Sequence, residues 1–160
     1  MEEFSSVTTA ARKVLKDCYL AHELMEAETE SNRLRIQWIG ALALCRLIGD
    51  VLDKVDKKNL PHLKNRIESQ WQSIRHEPIF TDFIKGSRDR ALHQYDIDLH
   101  EHSRVNIAIV LPDGSEHHAT LDECLFMPLV DGFGHGEDAR DIFLEALNWW
   151  DEKLSEIEKQ

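Results

Sequence analysis

The chain contains no run of about 18 consecutive apolar residues, so no membrane-spanning helix is expected. Cysteine is scarce as well. Cys18, Cys45 and Cys124 are odd in number, widely separated and never paired as C-x-x-C. That pattern argues against a disulfide framework and against a cysteine zinc site. Cys18 and Cys45 lie among apolar neighbours at helical spacing, as small core residues do. The opening MEEFSSVTTA lacks a basic and then apolar leader, and the expected location is cytoplasmic.

Positive charge is in short supply. Against 30 Asp and Glu stand 19 Lys and Arg, a net charge of -11 that disfavours sequence-independent coating of nucleic acid. The balance is uneven along the chain. Residues 1–52 carry 6 basic and 8 acidic side chains, net -2; residues 53–90 carry 9 and 6, net +3; residues 91–160 carry 4 and 16, net -12. A local basic surface can therefore come only from the middle third. The acidic tail would limit access to RNA or attract a basic protein partner.

What is present is helical periodicity. Over residues 5–29, Val7, Ala10, Val14, Cys18, Ala21 and Met25 fall three or four apart, the spacing of an amphipathic helix. Ser31 is positioned to cap a second helix that is apolar around most of its circumference from Ile36 to Val55, the expected centre of a bundle. NLPHLKNRIESQWQSIRHE places Leu63, Ile67, Trp71 and Ile74 on one face. Pro78 then either kinks one long helix or separates two. In the segment that follows, Ile79, Phe80, Phe83 and Ile84 supply core contacts, and Gly86-Ser87 marks a further break with Ser87 as cap of a turn opening at Arg88.

After about residue 103 the period becomes that of strands. RVNIAIVLPDGSEHHATL alternates β-branched residues, turns at Pro-Asp-Gly and extends again, which predicts a hairpin over about 104–121. A last amphipathic helix is expected over about 137–158, with Ile142, Leu147, Trp150, Leu154 and Ile157 on one stripe. Trp149 and Trp150 are consecutive, so one is expected inward and the other at a subunit contact. The expected architecture is mainly α: one domain over 1–160, a bundle of four to five helices with one β-hairpin inserted before the C-terminal helix.

Several motifs invite chemistry. DGFGHGEDARD lacks the alternating acidic residues of a calcium loop, since only Asp131 fits, and lacks the lysine of a phosphate cradle. Its glycines turn the chain, and its acidic residues suit the start of the last helix. His100, His102, His117 and His118 reproduce no known metal-ligand spacing, and adjacent residues of a strand point to opposite sides. No metal or other cofactor is called for.

The stretch GSRDRALHQY is different. A histidine near neutrality can take or give a proton, and an arginine binds phosphate oxygens without losing its charge. Arg88 and His93 together hold two of the three parts needed to cleave RNA through its own 2′-hydroxyl. One histidine per chain leaves an acid–base pair incomplete, which a symmetric dimer would supply. Residues five apart on an ideal helix differ by about 140° around the axis, so convergence within one chain requires Arg88 in a partly non-helical turn. Asp89, four residues before His93, is spaced to orient the imidazole, whereas Arg90 would repel its charged form.

IFTDFIKGSRDRALHQY resembles the signature of the HEPN superfamily, R-x4-6-H with a polar residue after the arginine; Arg88, Asp89 and His93 match it, and the resemblance spans roughly residues 34–96. It implies a helical bundle that dimerises through the motif. It also implies a metal-independent endoribonuclease of toxin or phage-defence type, with RNA as substrate and an antitoxin as possible partner. His93 would transfer the proton, Arg88 would hold the phosphate and Asp89 would orient His93. Asp89 stands where asparagine is commoner, and the superfamily includes members without nuclease activity. A non-catalytic helical interaction module, dimeric and retaining a remnant R-x4-H, therefore stays open beside the enzyme.

Overall fold

Helix α2 organises the protein. Leu, Ala, Arg and Gln, all good helix formers, fill much of Ser31–Val51. Leu34, Trp38, Ala41, Leu42, Cys45, Ile48 and Gly49 recur at helical spacing and are buried. The computed structural model describes residues 7–99, 106–120 and 124–159. Among them the protein is mainly helical, with five helical rods and one antiparallel hairpin before the last helix. The first rod is α1 (Thr9–Glu26). The second is α2, prolonged by a π-helical stretch Leu52–Asp56 and the short α3 (Lys57–Asn59). After a 3-10 turn at Pro61–Leu63 comes α4 (Lys64–Ile74). The fourth rod joins a π-helical Ile79–Ser87 to α5 (Arg88–Gln94), and the last is α6 (Ala139–Glu158).

The sequence boundaries shift in instructive ways. Helix α1 starts at Thr9, and its buried residues are Ala11, Leu15, Cys18 and Met25, so Val7 is exposed and Ala10 and Val14 flank the inward stripe. Ser31 is not a cap: it is the first helical residue, Glu30 precedes it, and no side chain closes that end. Arg75–Glu77 form a turn, so Pro78 separates two rods and starts the second. The anticipated stripe on α6 is fully realised, with Ile142, Leu147, Trp150, Leu154 and Ile157 all buried.

Trp38 meets Phe83 and Phe143, each at 6.0 Å between ring centroids, and joins α2 to the fourth rod and to α6. A second aromatic group, Trp71, Phe80, Trp149 and Trp150, closes the other end of α2. Gly49 makes that closure possible. A Cβ there would stand 2.8 Å from two atoms of the Trp71 ring and 3.2 Å from Trp150. Trp150 is the inward member of the pair, while the half-buried Trp149 donates through Nε1 to Glu77 Oε2 at 2.7 Å and has Lys153 over its ring.

The two ends of the chain are clasped electrostatically. Helix α1 has no acidic residue in its first turn and no side-chain cap of its own. Its exposed N–H groups are met by carboxylates from afar. The buried Asp56 accepts from Ala10 N (3.0 Å) and Ala11 N (2.8 Å). Glu158 accepts from Thr8 N (2.8 Å) and Thr8 Oγ1 (2.6 Å) and pairs with Arg12 at 2.7 Å. Arg12 also reaches Asp151 and Ser155. Part of the acidity of residues 91–160 is thus consumed inside the fold. Burial alone would raise the Glu158 carboxyl, but the hydrogen bonds from Arg12 and Thr8 outweigh it and hold it below the ordinary glutamate value.

Strands β1 (Asn106–Val110) and β2 (Glu116–Thr120) form the anticipated hairpin. Gly114 N donates to Leu111 O and Leu111 N to Ser115 O, both at 2.9 Å, around a three-residue Pro-Asp-Gly loop. Gly114 has φ +81°, the left-handed value that this loop type requires of its third residue.

Two measurements check this packing. Gly49→Ala should lower unfolding stability by about 1–3 kcal/mol in urea titration, because the added methyl forces the Trp71 ring aside. Glu158→Gln should lower it at neutral pH by about 1.5–3 kcal/mol through its charged hydrogen bonds. Because the folded pKa of Glu158 is depressed, its contribution is complete above the ordinary glutamate value of 4.5 and fades as pH falls through the lower folded value. The variant's acid-side stability loss should be correspondingly shallower than that of the wild type.

Candidate functional site

The fourth rod positions the R-x4-H residues, and it does so without a break. Ser87 has helical angles, is buried and caps nothing, so the turn anticipated at Gly86-Ser87 is absent and the π-helical stretch runs straight into α5. Ile79, Phe83, Ser87 and Ala91, four apart, are buried. Arg88 and Leu92, one residue further round, lie beside α2; His93, two residues past Ala91, points to solvent. Arg88 and His93 consequently stay about 140° apart around α5 and do not meet within one chain.

Arg88 borders a groove of about 320 Å³ lined by Ala43, Leu44, Arg46, Leu47 and Asp50 of α2 and by Leu92. Its Nη1 lies 2.8 Å from Asp89 Oδ1, and its Nε is buried with no hydrogen-bond partner among the described residues. Asp89 therefore holds Arg88 and not His93, a correction to the i,i+4 expectation: adjacent side chains at the edge of α5 meet more readily than one crossing to the solvent face. His93 is exposed and makes no hydrogen bond or ion pair among the described residues. Arg46 pairs with Asp50 at 2.9 Å and lies over the Trp71 and Phe80 rings. The groove thus holds two guanidinium groups and one carboxylate, Asp50, with Asp89 held against Arg88 at its border.

Arg90, expected to repel His93, is turned away to the buried Asp98 and to Asp131. The Asp98 hydrogen bond, partly opposed by burial, raises its pKa further. Helix α5 ends at Tyr95, whose φ of 54° is the single positive value outside glycine among the described residues, and whose ring is exposed. A bulky residue in the left-handed region is an outlier of the kind that concentrates at functional sites.

Two exposed leucines line the groove, Leu47 of α2 and Leu92 of α5. Ile36 on α2, 67% exposed, and Tyr95 at the end of α5 are exposed apolar side chains as well. The sequence signal for them was there: α2 is apolar around most of its circumference, but a helix expected at the bundle centre was expected to be covered on every side. Arg46, Asp50 and Leu47 were missed for the same reason.

Other candidates disperse. His117 pairs with Ile109 and His118 with Ala108, on opposite faces of the hairpin, and His118 lies 3.4 Å from Glu116. His100 and His102 fall outside the described residues. Among the described residues no group of three or more His, Cys, Asp or Glu could hold a metal ion. The glycine-rich segment turns the chain as expected, and Asp138 caps α6 by accepting from Arg140 N at 2.9 Å. No helix is long and apolar enough to cross a membrane among the described residues. Comparison of the chain with protein-family models, with curated proteins and with solved structures gave no match in any of the three.

Proposed function

We propose that the protein is a HEPN-like, metal-independent endoribonuclease of toxin or phage-defence type, acting as a homodimer. The observation that carries this reading is the presence on α5 of an exposed His93, unpartnered among the described residues, and of Arg88 at the border of a groove with exposed leucines. In the proposed reaction the RNA 2′-oxygen attacks the adjacent phosphorus while His93 removes the 2′-proton. The bond to the 5′-oxygen breaks, a second imidazole returns a proton to it, and the products are a 2′,3′-cyclic phosphate and a 5′-hydroxyl. Arg88 neutralises the charge that builds on the phosphoryl oxygens. Asp89 is assigned a positioning role on Arg88.

The angular separation on α5 favours a site built from two chains, with Arg88 of one copy and His93 of the other. Ile36, Leu47 and Leu92 would be the apolar contacts that join them. Any basic or antitoxin-like partner would find a smaller acidic surface than net -12 suggests, since Asp151 and Glu158 are committed to Arg12.

A second reading rests on a specific observation: Asp50 and Asp89 hold the two arginines of the groove and would oppose a phosphate. In that reading the protein is a non-catalytic helical dimer. Cleavage of a mixed tRNA and mRNA pool in excess EDTA decides between them. The ribonuclease reading expects cleavage by the wild type and a fall on the order of 10²–10⁴-fold in His93→Ala, with the circular dichroism unchanged. Silence of both folded proteins, at concentrations where the wild type is dimeric, would replace it with the interaction module.

A further inference from the structure

We propose that strand β1 is an edge through which two copies of this chain join their hairpins into one four-stranded antiparallel sheet. The proposal does not rest on the ribonuclease reading. It starts from the exposure of the hairpin: every residue of β1 and β2 except the half-buried Ile107 is exposed. A two-stranded ribbon alone is marginal in water, and this one carries Ile107, Ile109 and Ala119 on one face.

The register identifies which backbone groups are uncommitted. Leu111 and Ser115 close the loop as a hydrogen-bonded pair, so the alternation of an antiparallel ladder makes Ile109–His117 and Ile107–Ala119 bonded pairs too. Asn106, Ala108 and Val110 then turn their N–H and C=O groups outward. Among the described residues this outer edge carries neither of two usual protections, since Asn-Ile-Ala-Ile-Val contains no charge and no proline.

The occupant follows from charge and symmetry. A chain of net charge -11 repels its own copy over most of its surface, and β1 is an uncharged strip on which two copies meet without that penalty. The opposite edge, β2, carries Glu116 together with His117 and His118 and lacks this neutrality. Strand β1 is also self-complementary about Ala108. Two antiparallel copies place Ala108 opposite Ala108 and Asn106 opposite Val110, all with outward-turned groups, while Ile107 faces Ile109 of the other copy. The four isoleucines then share one face, and the two-fold contact is closed. Should the α5 face also pair, a chain with two such contacts assembles beyond a dimer.

The test uses the full chain carrying Ala108→Cys, treated with a short bis-maleimide crosslinker, beside His118→Cys on the far edge. The native cysteines are all buried, which keeps background low. The expected result is a covalent dimer from Ala108→Cys and its loss in His118→Cys. Ala108→Pro supplies a second readout, because it removes an outward N–H at the centre of the contact and none used within the hairpin. The mass by light scattering should fall by half. Equal crosslinking at the two positions, no crosslink at Ala108→Cys, or an unchanged mass in Ala108→Pro would overturn the proposal; an edge that binds another protein's extended peptide would give the second of these.

Discussion

Helix α2 is apolar on two sides, and the fold can cover only one of them. Its inward stripe from Leu34 to Leu52 is buried to the last residue, held by Trp38 between two phenylalanines and by Gly49 beneath two tryptophans. Burying each large side chain contributes about 1.5–3 kcal/mol, so this stripe, with the comparable one on α6, supplies much of the driving force for collapse. On the outward side Ile36 and Leu47 stay exposed, and Leu47 shares a groove with Arg88 and Leu92 of α5. The proposed ribonuclease function depends on that remainder, because the groove beside it presents Arg88, while His93 stands on the solvent side of α5.

Charge follows a comparable division. The buried Asp56 and the half-buried Glu158, far apart in sequence, meet at the N-terminus of α1, and Asp138 caps α6 locally while holding Arg140. Asp56 and Glu158 take the place of a local cap on α1, and they couple distant parts of the chain. Asp113, by contrast, acts locally: hydrogen bonds from the Ser115 hydroxyl and backbone lower its pKa within the hairpin loop.

The helical rods, the hairpin and the stripe on α6 were legible in the sequence because each rests on a short-range period. The Pro-Asp-Gly loop was legible because its geometry is dictated by its own residues. What could not be read depended on tertiary context. Gly86-Ser87 has the composition of a break, yet Phe83, Ser87 and Ala91 all pack inward and keep the rod continuous. The partner of Asp89 depended on the same continuity, as did the separation of Arg88 from His93. Which of Trp149 and Trp150 packs inward was not legible either, because nothing local announces Glu77, 72 residues away, as the hydrogen-bond acceptor of Trp149.

A continuous α5 turns the functional question into one of stoichiometry: either two chains complete the site or the motif is inert. The direct measurement is subunit mixing. Wild-type chains are co-refolded with increasing amounts of the Arg88→Ala, His93→Ala double variant and assayed for RNA cleavage in EDTA. A site that takes Arg88 and an imidazole from each copy is broken in every mixed dimer, so activity should fall as the square of the wild-type fraction. Activity in simple proportion to the wild-type fraction would contradict a shared site.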